Sequence, residues 1–90
     1  PLSINLLARD QSAVAAAFGG GLPRHQRFSI GSWTEGSNGL PILSEAQANL
    51  ECVIDAMLAY GTHSIVIARV LRASVQDKVD PLIYQDGGYL

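Results

Sequence analysis

Few side chains in this sequence are suited to chemistry, and His63 is the most prominent of them. It follows Gly61 and Thr62, a dipeptide that indicates a tight turn between two apolar segments. A turn imidazole can exchange protons near neutral pH or donate a hydrogen bond to a ligand. On these residues alone, a turn histidine without a chemical role is the simpler interpretation.

The other reactive residue types do not form a recognisable catalytic or metal-binding pattern. His25 lies between Arg24 and Gln26, which predicts a solvated surface position. Ser64 is next to His63, but adjacent residues of a strand point to opposite faces, so they do not form a catalytic pair. The acidic residues are scattered, and the two histidines lie far apart, so neither paired acid–base chemistry nor a metal site is supported. Cys52 is the only cysteine, which excludes an internal disulfide.

Two further features have a structural and a functional interpretation. Trp33 with Phe28 and Ile30 predicts a packing cluster under a loop rather than a platform on which a ligand ring stacks. Pro1 raises the alternative of a proline amine acting as a general base, as in N-terminal-proline tautomerases. That alternative requires two βαβ units, and the sequence predicts only one short helix.

The first half of the chain predicts a strand, a helix and a long connection. Residues 2–7 are apolar and alternate at first, which indicates a short strand. Residues 9–18 predict a helix with Asp10 as its N-cap. Val14, Ala17 and Phe18 share one face of that helix. The glycines at 19–21 end it, and the Gly-, Pro- and Ser-rich residues 19–43 predict an ordered but irregular connection.

The second half predicts a long hairpin followed by a short strand. From Ala48 to Tyr60 every even position is apolar, which is typical of a half-buried strand. Gly61 and Thr62 form the turn, and the β-branched residues of 63–75 predict a second long strand. Asp77–Pro81 marks another turn before a last short strand at 82–84. The predicted fold class is mainly β with one short helix.

Hairpins this long are typical of barrels, yet so few strands cannot close one. The open edges must pair with something else. Residues 1–90 therefore predict a fragment of a larger domain, whose remainder pairs with these edges.

Composition narrows the classes of function. Hydrophobic residues make up 48% of the chain, charged residues 16%, and the net charge is −2. Without a basic stripe, nucleic-acid binding has no electrostatic support. No apolar run approaches the roughly 20 residues that span a bilayer, so no membrane partner is expected. A single cysteine fits a protein of a reducing compartment, and a cytoplasmic location is expected.

An ordered series of short motifs resembles the flavin reductase-like domain family. The series consists of Ser-Ile-Asn-Leu-Leu at 3–7, Arg27-Phe28, Leu-Pro-Ile-Leu at 40–43, Leu-Glu-Cys at 50–52, Gly-Thr-His-Ser-Ile at 61–65 and Pro-Leu-Ile-Tyr at 81–84. Arg27-Phe28-Ser29-Ile30 followed by Trp33 most resembles the reductase components of 4-hydroxyphenylacetate 3-monooxygenases. Each motif is weak alone, and their common order over the whole chain is specific.

The resemblance implies the C-terminal half of a flavin-binding split β-barrel, usually a homodimer. It implies an NAD(P)H:flavin oxidoreductase that binds FAD or FMN, takes NADH or NADPH as co-substrate, and supplies diffusible reduced flavin to a partner monooxygenase. His63 is then the expected catalytic residue, positioning the nicotinamide over the flavin. The residues expected to contact cofactors are Gly61, Thr62, His63, Arg27, Phe28 and Tyr84.

Two departures from the family pattern bear on cofactor binding. Thr62 stands where Asp is commoner, and residues 85–88 stand where basic residues are usual. The resemblance begins in the middle of the family domain, so the N-terminal half of that domain is absent from residues 1–90. That half contains the segment that holds much of the flavin, and residues 1–90 alone are therefore expected to bind flavin poorly. A split-barrel module that binds flavin without reductase turnover remains the alternative.

Overall fold

A computed structural model describes every residue from Pro1 to Leu90. The strands are β1 (Leu2–Leu6), β2 (Trp33–Glu35), β3 (Pro41–Leu43), β4 (Ala48–Tyr60), β5 (His63–Val75), β6 (Tyr84–Gln85) and β7 (Gly88–Tyr89). The single α-helix, α1 (Ser12–Ala16), continues into a π-helical turn (Ala17–Gly21), and a 3-10 helix follows (Arg24–Ser29). The chain is therefore mainly β with one short helix, which confirms the predicted class.

The main sheet is antiparallel, with strand order β1-β4-β5. The bounds of β4 and β5 and the turn at 61–62 agree with the sequence prediction. Leu2 lies opposite Cys52 and Leu6 opposite Ala48, so β1 covers only the first five residues of β4. Two irregularities in the β4–β5 register, at Glu51/Cys52 and Ile54/Ala56, locally bend and twist such a hairpin.

The core is small and lies between α1 and the end of β3. Val14, Leu43 and Ala46 form its buried centre. The partly buried residues packed against it are Leu7, Phe18, Ile30 and Trp33. Val14 and Ala17 are buried and Phe18 is half-buried, which confirms the predicted apolar face of the helix.

The predicted start of the helix is wrong. The helix begins at Ser12 rather than residue 9, its N-cap is Gln11 rather than Asp10, and no side chain caps it. The Gln11 side chain instead accepts a hydrogen bond from the Ala8 N–H (2.9 Å) and donates one to the Ser44 carbonyl (3.1 Å). This residue therefore fastens the turn after β1 to the chain that follows β3. Gly20, with φ of 107°, lies inside the π-helical turn and departs from helical backbone geometry there.

The connection at 19–43 is more regular than predicted. Arg27, Phe28 and Ser29 belong to the 3-10 helix, and β2 pairs with β3 in a two-stranded hairpin. Its turn is closed by hydrogen bonds from the Gly36 N–H to the Leu40 carbonyl (2.8 Å) and from the Gly39 N–H to the Gly36 carbonyl (3.0 Å). Three-residue strands are too short to show an alternating pattern in sequence.

The last strand is shifted from its predicted place. Residues 82–83 are not strand; Tyr84–Gln85 pairs with Gly88–Tyr89 around Asp86 and Gly87, which have φ of 53° and 82°. Two successive positive φ values define a type I′ turn, for which Asp-Gly is a favoured dipeptide. Pro81 bridges Ala8, which ties this hairpin to the exit of β1.

Candidate functional site

The tip of the β4–β5 hairpin presents His63 to solvent. Gly61 adopts φ of 58°, a conformation that favours glycine in the turn. The Thr62 hydroxyl lies 3.1 Å from His63 Nδ1, and Nε2 has no partner within the chain. A hydrogen bond at Nδ1 orients the ring and leaves Nε2 available to a ligand.

The Phe18, Phe28 and Trp33 rings form an aromatic cluster, as the sequence predicts for Phe28 and Trp33. Phe28 meets Phe18 edge to face (centroids 5.2 Å apart, 86°) and meets Trp33 in the same way (4.9 Å, 77°). The Trp33 indole donates to the Ile30 carbonyl at 2.8 Å. Arg27 Nε donates to the Leu22 carbonyl at 3.3 Å, so part of this guanidinium already holds the loop.

A cleft of about 300 Å³ lies between the aromatic cluster and β1. We call it the aromatic cleft; its lining residues are Pro1, Leu2, Ser3, Asn5, Phe18, Phe28, Trp33, Leu40 and Pro41. A second cleft adjoins it, shares Phe28, Trp33 and Pro41, and includes Glu35.

The residues predicted to contact cofactors are not brought together within one chain. The aromatic cleft includes Leu2, which pairs with Cys52, whereas His63 pairs with Tyr60 at the far end of β4. Eight residue steps separate Cys52 from Tyr60, or roughly 26 Å at about 3.3 Å per residue. Tyr84 lies on the separate β6–β7 hairpin, where its ring packs 5.1 Å from Tyr89. The roles of Arg27, Phe28 and Tyr84 in cofactor binding stay predictions.

Glu51 is a buried carboxylate at an odd position of β4, although the apolar even positions predict that the odd positions form the more exposed face. It is 8% exposed. Its Oε1 accepts two hydrogen bonds, the first from the Ser37 hydroxyl (2.9 Å) and the second from the Asn38 N–H (3.3 Å). The other oxygen lies 4.0 Å from Arg72 Nε on β5. The Ser37 hydrogen bond is the main cause that lowers the pKa of Glu51 below its usual value, against the opposing effect of desolvation.

Glu51 thereby fastens the turn between β2 and β3 to the main sheet. A Cβ on Gly36 would lie 2.6 Å from Glu51 Oε1 and 2.9 Å from Ile42 Cγ1, so glycine permits this close approach. The sequence signal for this contact is the Gly-Ser-Asn-Gly turn, whose N–H and hydroxyl groups need an acceptor.

An asparagine pair joins β1, β3 and β4 beneath the aromatic cleft. Asn5 Oδ1 accepts from the Leu43 N–H (3.0 Å) and from Asn49 Nδ2 (2.7 Å). Asn49 Nδ2 also donates to the Leu43 carbonyl at 3.1 Å. Because Leu43 is fully buried, these contacts satisfy backbone groups that water cannot reach.

No cluster of three or more His, Cys, Asp or Glu residues is arranged to hold a metal ion. None of the helices has the length and apolar character needed to cross a bilayer.

The whole chain, residues 1–90, matches the model of the flavin reductase like domain. The chain therefore belongs to the flavin reductase-like domain family, which confirms the resemblance seen in its motifs. Its structural neighbours have the split-barrel fold of flavin reductases.

Two curated relatives and one solved structure illustrate the match. The reductase component of an FADH(2)-dependent resorcinol hydroxylase from Rhizobium sp. (strain MTP-10005) is 36% identical over 96% of this chain and 48% of its own. The FMN reductase (NADH) RutF of Variovorax paradoxus (strain S110) is 32% identical over 98% of this chain and 49% of its own. BorF, the flavin reductase component of a bacterial two-component tryptophan halogenase, superposes with a TM-score of 0.85 at 32% identity, over 98% of this chain and 57% of BorF. The chain spans about half the length of the curated relatives it matches.

Proposed function

We propose that the protein containing these residues is an NAD(P)H:flavin oxidoreductase that reduces FMN or FAD with NADH or NADPH. The observation that carries this proposal is the family match along all 90 residues. The names of relatives support it, since they include an NADH-dependent FMN reductase and a flavin reductase, HpaC, in complex with NADP+.

In such a reaction the bound flavin and nicotinamide supply the hydride chemistry, and the protein supplies binding and alignment. We assign alignment of the nicotinamide to His63, with Gly61 and Thr62 shaping the turn that presents it. The exposed ring and its unpartnered Nε2 support this role, because a ligand can approach without displacing protein contacts.

Further parts of the proposal concern partners and location. Reduced flavin would pass to a separate monooxygenase, as the names of the resorcinol hydroxylase reductase and BorF suggest by analogy. A homodimer would cover part of the exposed apolar hairpin. A cytoplasmic location would give the protein access to nicotinamide nucleotides.

We also propose that residues 1–90 form the C-terminal half of one domain. Burial supports this, because only 8 of the 90 residues are buried, far fewer than a self-sufficient core of this size requires. Flavin binding would then depend on the remainder of the domain as well as on these residues.

The alternatives lead to different expectations. A flavin-binding module without turnover would share this fold. An N-terminal-proline tautomerase does not fit, because every strand pair here is antiparallel and two βαβ units require parallel pairs.

The deciding experiment follows NADH and NADPH oxidation by the full-length protein with FMN or FAD. We expect oxidation that depends on added flavin, and anaerobic bleaching of the flavin absorbance band. A protein that binds flavin yet leaves the band unbleached with both nucleotides would be the binding module instead.

A further inference from the structure

The turn between β2 and β3 contains the one asparagine of this chain that precedes a glycine. Of the three asparagines, Asn5 and Asn49 are each followed by leucine, whereas Asn38 is followed by Gly39. Asparagine is a thermolabile residue, because the backbone nitrogen of the next residue can attack its side-chain carbonyl carbon. A glycine in that next position leaves the attacking nitrogen unhindered and its backbone free to turn. This dipeptide is therefore the point of the chain most prone to deamidation.

The folded turn keeps both reacting groups engaged. The Gly39 N–H, which carries the attacking nitrogen, donates to the Gly36 carbonyl at 3.0 Å. Asn38 Oδ1 accepts from the Leu40 N–H at 3.1 Å, which fixes the orientation of the side-chain amide. Asn38 Nδ2 is buried without a hydrogen-bond partner in the chain, so no protein group is placed to protonate it as it leaves. The native conformation therefore opposes the reaction that the dipeptide favours.

Glu51 on β4 holds the turn in this conformation. Its Oε1 accepts hydrogen bonds from the Ser37 hydroxyl and from the Asn38 N–H, directly before the labile peptide bond. A Cβ on Gly36 would lie 2.6 Å from the same oxygen, so the turn lies directly against the carboxylate. Hydrogen bonds to an ionised acceptor are stronger than bonds between neutral groups. The turn must break these contacts with Glu51 before it can open.

We propose that Asn38 is a latent deamidation site whose rate of modification is set by the contacts of Glu51 with the turn. When the turn opens, the Gly39 nitrogen bonds to Asn38 Cγ, the Cγ–Nδ2 bond breaks, and ammonia leaves with the proton of the Gly39 N–H. Water then opens the resulting succinimide to aspartate or isoaspartate. Either product places a carboxylate beside Glu51, and like charges repel, so the modified turn no longer docks on β4. The site is independent of flavin reduction, because its contacts involve no cofactor.

The test ages the full-length protein at neutral pH and follows each asparagine by peptide mapping with mass spectrometry. The reference is the same protein unfolded in guanidinium chloride. We expect Asn38 to deamidate at least about tenfold more slowly in the folded protein, because the reaction there requires local opening of the turn.

Variants separate the effect of Glu51 from that of the turn itself. Ser37→Ala removes the shorter hydrogen bond and should speed deamidation about threefold, whereas Glu51→Ala removes both and should speed it about tenfold or more. Glu51→Gln should fall between parent and Glu51→Ala, because its amide oxygen still accepts but has no charge. Should Glu51→Ala fail to fold, Ser37→Ala and Glu51→Gln carry the comparison.

Val14→Ala is the matched control. It weakens the buried core, to which no residue of the turn belongs, so it should leave the local opening and the rate at Asn38 unchanged.

Asn38→Asp tests the effect of the product. It should unfold at a lower denaturant concentration than the parent, and the loss should be smaller in a Glu51→Gln background, where the second charge is absent. An Asn38→Asp variant as stable as the parent would show that the turn accepts the charge and still docks, which contradicts the proposed release.

Three further results would overturn the proposal. The first is equal deamidation of Asn38 in the folded and the unfolded protein. The second is a parental rate in both Ser37→Ala and Glu51→Gln, as when another part of the protein holds the turn. The third is an acceleration by Val14→Ala as large as that by the Glu51 variants, which would mean that global unfolding sets the rate.

Discussion

At the scale of single residues, Glu51 and His63 show two contrasting uses of an ionisable side chain. Glu51 is buried and bound by groups of a neighbouring turn, so its charge stabilises the fold. His63 is exposed and makes one contact, with Thr62, so its second nitrogen stays free. A buried, fully engaged group is a poor candidate for chemistry on a substrate, whereas an exposed turn imidazole remains available.

The lowered pKa of Glu51 predicts a specific dependence of stability on pH. Because the folded state lowers this pKa below its usual value of 4.5, the ionised carboxylate stabilises the fold above that pH. This contribution is lost as the pH falls through the folded-state pKa. Glu51→Gln should therefore lower the free energy of unfolding at neutral pH, and the difference from the parent should shrink in acid. Chemical denaturation of the full-length protein across this range measures it.

The matched control for this prediction is Glu45→Gln, which changes an exposed carboxylate that has no hydrogen-bond partner. Because it removes no hydrogen bond, its free energy of unfolding at neutral pH should stay close to that of the parent. A constant offset between Glu51→Gln and parent would contradict a role for the charge.

His63→Ala should raise the KM for NADH more than it weakens flavin binding. Loss of one hydrogen bond to the nicotinamide corresponds to about a two- to tenfold increase in KM. Steady-state kinetics and flavin titration of the full-length protein separate the two effects. His25→Ala provides the control, since this second histidine lies on the exposed 3-10 helix. Unchanged NADH kinetics in His63→Ala would rule out a role of His63 in aligning the nicotinamide.

At the scale of elements, the asparagine pair decides how the β2–β3 hairpin sits on the main sheet. β3 lacks a ladder with β1, and its buried Leu43 backbone is satisfied by Asn5 and Asn49 side chains instead. The position of Trp33, which pairs with Leu43 across the hairpin, therefore depends on two amides.

Asn5→Ala should cost about 1–3 kcal/mol of stability, because it leaves the buried Leu43 N–H without an acceptor. Ser3→Ala removes an exposed hydrogen bond to the Pro41 carbonyl from the same strand and should cost less than about 0.5 kcal/mol. Thermal and denaturant unfolding of the full-length variants compares them. Equal losses would mean that the amide network adds nothing beyond surface contacts.

Long elements were predictable from the sequence and short ones were not. The thirteen-residue strand β4 repeats its alternation often enough for its bounds to be correct, and β5 is marked by a long run rich in β-branched residues. The three-residue strands β2 and β3 carry no such repeat. At the start of α1, Gln11 makes a long-range hydrogen bond to the Ser44 carbonyl, which the local sequence does not reveal. At the candidate site, the Gly61-Thr62 dipeptide correctly predicts the turn that places His63 at the tip of the hairpin. The alternation in β4 predicts an exposed Glu51, because a strand pattern does not show that the turn between β2 and β3 covers this side chain.

At the scale of the whole molecule, one end of the β4–β5 hairpin is covered by β1, and the end near the turn is exposed to solvent. Ala48 and Cys52 are buried, whereas Leu58 and Tyr60, on the same predicted apolar face, are 55% and 80% exposed. The predicted half-burial therefore holds only where β1 covers β4. β5 pairs with β4 alone, so its outer edge has open backbone groups. Such edges and apolar faces are covered in stable proteins.

Residues 1–90 expressed alone should therefore self-associate and unfold without a cooperative transition, whereas the full-length protein should unfold cooperatively. Sedimentation and calorimetry of both species measure this. The double variant Leu58→Lys, Ile67→Lys should have opposite effects on the two species. These two exposed residues lie near each other on the half of the hairpin that β1 does not cover. The lysines should reduce association of residues 1–90, because like charges repel at an exposed surface. In the full-length protein they should lower stability, because the proposed remainder of the domain would cover the same face. A sharp transition of monomeric residues 1–90, or lysines without effect on the full-length protein, would mean that this hairpin needs no further cover.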